Sequence, residues 1–175
     1  MHQIRLAAAE DAGALLALQH RLDGQSEFML LEPGEREQSP ARLRDRLLAQ
    51  GPAGGFDLVA EGEDGDGDGL AGWLSVEVLP FRRARRTGYL VLGVDAAAAG
   101  RGLGRSLLEA AEHEAAGRGL RRLELTVMTG NLRALALYLR SGFQVEGLRR
   151  RALVRGSTVV DEYYMGKLLA GDGPE

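Results

Sequence analysis

The chain has 175 residues, 45% of them hydrophobic and 27% charged, with a formal net charge of −3 and no cysteine. One sizeable core is expected, hence a single globular domain over 1–175; the lack of cysteine excludes disulfides, thiolate metal sites and a cysteine nucleophile, and the slight acidity exerts no general pull on nucleic acid. No apolar run approaches the roughly 20 residues that cross a bilayer, and the opening MHQIRLAAAED has no basic segment, apolar stretch or cleavage site of a leader, so the cytoplasm is the expected compartment.

QIRLAAAEDAGALLALQHRL alternates briefly and then repeats apolar residues at Ala12, Leu15, Leu16 and Leu22, which predicts a strand followed by a helix, with Asp11 in the helix's first turn. Turn residues around Pro33 and Gly34 precede a second helical pattern through Leu43, Leu47 and Leu48. This region, 1–55, reads as a strand and two helices, with the segment from Asp23 to Gln50, the second helix included, a mobile cover rather than core. From Phe56 the pattern changes. GFDLVAEGE, LAGWLSVEVL and YLVLGV are β-rich runs separated by EDGDGDG and PFRRARRTG, which predicts an antiparallel meander over 56–98. Trp73 is most simply a sheet residue.

Across 99–141, Leu103, Leu107, Leu108 and Ala111 stripe one helix, RRLELTV gives a strand, and Asn131 to Arg140 forms a further helix that Gly142 stops. The segment 142–169 reads as a final hairpin turning at RGS, and 170–175 as a tail. The sum is an α+β, mixed α/β domain: a mostly antiparallel twisted sheet of about seven strands with helices on both faces.

Two stretches carry chemistry. In AAAAGRGLGRSLL, three alternating glycines stand directly before a helix. The spacing is GxGxG rather than GxGxxG, and Gly104 is followed by Arg105 rather than Lys-Ser/Thr, so neither a dinucleotide fingerprint nor a P-loop fits. Gly100, Gly102 and Gly104 have no Cβ, so successive backbone N–H groups can close on an anion while the helix dipole and Arg101 and Arg105 add positive charge. A flexible glycine-rich start to a helix, with no ligand, is the competing reading. In GNLRALALYLRSGF, Asn131, Ala134 and Tyr138 share one helix face at i, i+3 and i+7; Asn131 can equally be a helix cap and Tyr138 a core aromatic.

Together, GVDAAAAGRGLGRSLL and NLRALALYLRSGF followed by EGLRR resemble the two signatures of the GNAT family of N-acetyltransferases, and the resemblance covers essentially the whole chain. Ala99 departs from it, standing where that family usually carries Gln or Arg. The resemblance implies acetyl-CoA as cosubstrate and no metal. The amides of Gly100 to Gly104, with Ala99, Arg101, Leu103 and Arg105, would hold the pyrophosphate. The strand through Leu92 and Val94, with a bulge-like Gly93–Val94 step, would pair with the pantetheine arm, and Asn131, Ala134 and Tyr138 would complete the site. It further implies direct attack of an amine on the thioester, with the Val94 N–H steadying the developing oxyanion and Tyr138 protonating the thiolate. A non-catalytic acyl-CoA sensor is the alternative.

No clear base presents itself for the acceptor. His2, His20 and His113 are scattered, whereas Glu32, with Glu27, lies in the segment EFMLLEPGE that could line the acceptor mouth. The acceptor is expected to be a small-molecule or protein N-terminal amine, read by Asp23 to Gln38 and the last hairpin. Neither a nucleic-acid nor a membrane partner is expected, and the protein would be a monomer or homodimer. Asp64, Asp66, Asp68 and Gly69 imitate the opening of a calcium loop, but the twelfth position is Ser75, so an acidic hairpin turn is expected. RRARR, Arg82 to Arg86, lacks interleaved aromatics and reads as a solvated loop.

Overall fold

The computed structural model describes residues 2–62 and 69–170; the acidic repeat at Asp64, Asp66 and Asp68 lies outside them. One sheet organises the chain. Its strands are β1 (Ile4–Leu6), β2 (Phe56–Glu61), β3 (Leu70–Val78), β4 (Thr87–Val94), β5 (Arg122–Met128), β6 (Gln144–Arg155) and β7 (Thr158–Leu168), in the order β1-β2-β3-β4-β5-β7-β6. Every neighbouring pair is antiparallel except β4 with β5. That exception follows from topology: the 15-residue helix α3 (Leu103–Gly117) joins β4 to β5 as a crossover, which brings the second strand in parallel.

The period of two along the strands divides the apolar residues between two cores. Leu74, Val76, Leu90, Leu123, Leu125 and Met165 pack under the Leu103, Leu107, Leu108 and Ala111 stripe of α3. Val59, Leu70 and Trp73 face the other way, onto Leu15, Leu16, Leu18 and Leu22 of α1 (Ala12–Gln25) and Leu43 of α2 (Pro40–Ala53). Trp73 is thus a sheet residue, and its indole N–H donates to the buried Asp57 carboxylate at 2.6 Å.

Local chemistry sets the ends of α2. The Ser39 hydroxyl accepts from the Arg42 amide, Pro40 occupies the first turn, and Gly54 closes the helix at φ +91°. The expectation of α2 as a cover separate from the core is corrected by Leu43, which is buried against α1 and the sheet; Leu48 faces out. Asp11 lies in a short 3₁₀ turn just before α1, where Arg5 grips it at 2.7 and 2.8 Å and holds its carboxyl below the usual range. Gly142, at φ +88°, ends α4 (Leu132–Arg140) as expected. Arg82, Arg83, Arg85 and Arg86 lie exposed in the turn joining β3 to β4.

The connection between α1 and α2 is fixed by a buried ion pair. Arg36 reaches both oxygens of Asp23, at 2.6 and 2.7 Å, with the two side chains 13% and 1% exposed. Breaking such a pair from one side strands a charge in a low-dielectric site. Arg36→Met is expected to lower the unfolding free energy by about 3–5 kcal/mol, and Asp23→Leu combined with Arg36→Met to restore most of it, as read by urea denaturation.

Candidate active site

The site begins as a gap in the sheet. β4 stays in register with β3 through Gly72↔Val94, and the Asp95 amide donates to the Ala71 carbonyl at 2.8 Å. In an antiparallel ladder alternate residues bond alternate neighbours, so Leu92 and Val94 turn their N–H and C=O groups away from β3. On that side β5 pairs only with Thr87, Gly88 and Tyr89. Beyond Tyr89 the strands separate, leaving backbone donors and acceptors facing an opening. The expected bulge at Gly93–Val94 is therefore not a bulge against β3, whose register is unbroken; the irregularity is the parting from β5. Gly93 is needed for a different reason: a Cβ there would lie 2.5 Å from Leu22 Cδ1 of α1.

One cavity, of about 580 Å³, opens on the α3–α4 side. All the cofactor-binding candidates from Leu92 to Tyr138 line it, with the exception of Arg101, which is exposed outside it. Gly100 and Gly102 adopt φ +83° and +85°, the left-handed region that a side chain resists. No protein atom lies within 4 Å of a Cβ built on Gly102, so backbone conformation rather than protein crowding demands glycine there. α3 starts with no side-chain cap, and its first internal bond is from the Ser106 amide to the Gly102 carbonyl. The preceding first-turn N–H groups remain for an anion. Gly104 lets α3 approach α4, since a Cβ there would stand 3.1 Å from Leu137 Cδ2.

Three guanidinium groups join this cavity: Arg105, exposed and paired with Glu109 at 2.7 Å, and Arg133 and Arg140 of α4. Sequence reasoning missed Arg133 and Arg140, which look like any solvated helix residues until α4 is docked beside the glycine loop. They supply positive charge where Ala99 brings none. The loop is itself anchored to α1: Asp95 accepts from Arg21 at 3.0 Å and from the Ala97 amide at 3.1 Å, and Gln25 accepts from the Ala96 amide.

A second cavity, of about 380 Å³, lies along the gap and is roofed by Phe28, Met29 and Leu30 from the α1–α2 connection. Arg155 of β6 ties this roof to the hairpin, stacking 5.5 Å from the Phe28 ring and pairing with Glu27 at 3.5 Å. Within it, Tyr89 of β4 and Thr126 of β5 join hydroxyls at 2.8 Å across the parting strands. The cavity also holds Arg149, from the EGLRR stretch, with Leu153 and Glu162; all three lie in the last hairpin expected to read the acceptor, though sequence reasoning marked none of them as a site residue. Glu32 does not join them: it is exposed, lines neither cavity, and its amide is taken up by the Glu35 carboxylate. None of the three histidines lines either cavity.

The two cavities share Leu92, Val94, Asn131, Ala134 and Tyr138. Asn131 is both cap and lining: its carbonyl oxygen accepts from the Ala134 amide at 3.2 Å, which leaves its NH₂ donors for the cavities. Tyr138 is buried and sits edge-on to Phe143 at 5.8 Å, yet its hydroxyl has no hydrogen-bond partner among the described residues. Burial first, and the neighbouring Tyr89 second, push the phenol well above its ordinary value, so it stays protonated at neutral pH.

A glycine loop at a helix start, a split parallel strand pair and a protonated tyrosine at the junction of two cavities coincide with a sequence match. The profile of the acetyltransferase (GNAT) family covers residues 21–143. The chain belongs to the GNAT family. It is 48% identical over 112 residues to a mycothiol acetyltransferase of Beutenbergia cavernae, a match covering 61% of this chain and 35% of that protein. It is 31% identical over 105 residues to the L-amino acid N-acetyltransferase AaaT of Escherichia coli, covering 59% and 64%. The chain thus spans about a third of the first relative's length and under two thirds of the second's. A GNAT acetyltransferase structure from Streptococcus pneumoniae superposes with a TM-score of 0.90 at 30% identity, covering 97% and 100% of the two chains. The yncA structure from Salmonella typhimurium, a putative acetyltransferase solved with acetyl-CoA, shares the fold with a TM-score of 0.85 at 21% identity, covering 100% and 98%.

The left-handed glycines give a direct test. Gly100→Ala and Gly102→Ala are each expected to cost about 1–2 kcal/mol of stability, the penalty of a Cβ in that region. Gly34→Ala, at φ +96° in the α1–α2 connection, should cost a similar amount. Only the first two should also lower the affinity for coenzyme A, as measured by calorimetry.

Proposed function

We propose that the chain is an acetyl-CoA-dependent N-acetyltransferase that acts on a primary amine by direct attack in a ternary complex. The observation that carries this reading is the meeting of two cavities at Leu92, Val94 and Tyr138 through the gap between β4 and β5. A donor in the first cavity and an acceptor in the second would meet there. A sensor that only binds acyl-CoA has no need of the second cavity, which favours turnover.

The donor fits the residues present. Left-handed Gly100 and Gly102, the uncapped start of α3, and Arg105, Arg133 and Arg140 suit a pyrophosphate. The backbone groups of Leu92 and Val94 that face the gap, without a strand partner among the described residues, suit an extended amide-bearing arm. Bound acetyl-CoA supplies the thioester carbonyl that the amine attacks. The Val94 N–H, aimed into the gap, stabilises the negative charge developing on the carbonyl oxygen. Tyr138, held protonated, donates its proton to the departing sulfur. With no cysteine in the chain, a cysteinyl acyl-enzyme is excluded.

Saturating acetyl-CoA is expected to raise the melting temperature, since a ligand bound only by the native state stabilises it. An amine panel scored by thiol release tests turnover; stabilisation with no thiol released from any amine would support the sensor instead. Tyr138→Phe should slow single turnover by roughly ten- to a thousandfold with affinity for acetyl-CoA nearly unchanged. Arg133→Ala combined with Arg140→Ala should weaken acetyl-CoA binding by about tenfold at low ionic strength and by less in high salt, as measured by calorimetry.

A further inference from the structure

The second cavity contains a charge pair that the proposed chemistry leaves unused. Glu162 of β7 is 6% exposed, and its Oε2 accepts from Arg149 Nη1 of β6 at 2.5 Å. The contact is one-to-one: it engages a single carboxylate oxygen and a single guanidinium nitrogen, leaving Oε1 and the remaining Arg149 donors for another molecule. The Arg149 side chain is 53% exposed, so it is not locked away as a structural counterion would be.

The backbone around the pair is irregular. Arg149 stands opposite Glu162, and the next registered pair is Leu153 opposite Val160, so four steps of β6 run against two of β7. Within this bulge Arg151 has φ +52°, the one non-glycine residue at positive φ among the described residues, and its amide is held by Asp161 at 2.6 Å. A bulge re-aims side chains, and strain of this kind persists only where the surroundings impose it. Its effect is to gather Arg149 and Leu153 into the cavity that also holds Tyr138.

We infer that Glu162 and Arg149 together read the two charges of a zwitterionic α-amino acid, Glu162 taking the ammonium and Arg149 the carboxylate. An α-amino acid carries opposite charges on one carbon, and the pair presents opposite charges 2.5 Å apart, so the four groups close into a ring of alternating sign. A diamine would set its second cation against Arg149. A simple amine would leave the guanidinium donors unused. The walls beside the pair, Phe28, Met29, Leu30, Leu153 and Met128, take an apolar side chain.

This inference rests on the transferase reading and gives its acceptor. The ammonium must lose one proton to expose its lone pair. The Glu162 carboxylate holds it beside the gap, and the proton leaves to solvent. Nitrogen then bonds to the thioester carbon, the carbon–sulfur bond breaks, and the second proton shed by nitrogen balances the one that Tyr138 gives to sulfur. The products are the N-acetylamino acid, the free thiol and one proton.

The test compares L-leucine, L-leucinamide, 3-methylbutylamine and putrescine as acceptors, by kcat/KM for thiol release. Leucine should exceed each of the others by about ten- to a hundredfold, the worth of a charge-assisted contact. Arg149→Gln should raise the KM for leucine and collapse its advantage over leucinamide; Arg149→Lys should restore part of that advantage. Glu162→Gln should lower kcat/KM for leucine and leucinamide alike, with the acetyl-CoA thermal shift retained as evidence of a folded donor side. If acetyl-CoA binds and 3-methylbutylamine or putrescine is acetylated as well as leucine, or if Arg149→Gln leaves the leucine KM unchanged, this inference is overturned while the transferase reading stands. If acetyl-CoA neither stabilises the protein nor releases thiol with any amine, both fall.

Discussion

The separation of β4 from β5 is the constraint on which the rest of the structure turns. A sheet is stable because each strand satisfies its neighbour's backbone. Here two central strands pair for three residues and then part, so Leu92 and Val94 present polar backbone groups to an opening in the middle of the molecule. Everything near the opening either holds it apart or fills it. β3 keeps β4 straight, α1 presses Leu22 against Gly93, and α4 delivers Tyr138 to the point where the opening joins the two cavities.

The same arrangement accounts for the glycine loop. A peptide that leaves β4 at Val94 must turn within a few residues to start α3 over the sheet. Asp95 braces the first bend against Arg21, and two left-handed glycines make the second. The resulting helix start has no side-chain cap among the described residues, and the neighbouring helix brings Arg133 and Arg140 to the same rim. Charge and geometry for an anion thus arise from elements far apart in the chain.

Much of this was legible in the sequence because it depends on local pattern. Alternation marked the strands, the leucine stripe marked α3, and Gly142 marked the end of α4. Asn131 and Tyr138 stood out through their helical spacing, and the glycines through their proximity to a helix start. What escaped was tertiary. Arg133 and Arg140 acquire meaning only beside the glycine loop, and Glu162 and Arg149 only when β7 inserts between β5 and β6 and the bulge shortens the path to Leu153. Glu32 attracted attention by sitting in a plausible segment, but whether a loop carboxylate points inward is decided by contacts such as Asp23 with Arg36, which no periodicity encodes.

Among the described residues the sheet also separates two cores that share no buried side chain: one under α3 on one face, the other under α1 and α2 on the opposite face. Substitutions in the apolar layer of α1 and α2 meet the other core through the sheet, whereas the glycine loop also feels α1 directly, through Arg21 with Asp95 and Gln25 with Ala96. Side chains buried under α1 and α2 can thus be repacked without reshaping the layer under α3. The two layers can therefore be altered with some independence, provided that the ties between α1 and the loop after β4 are kept.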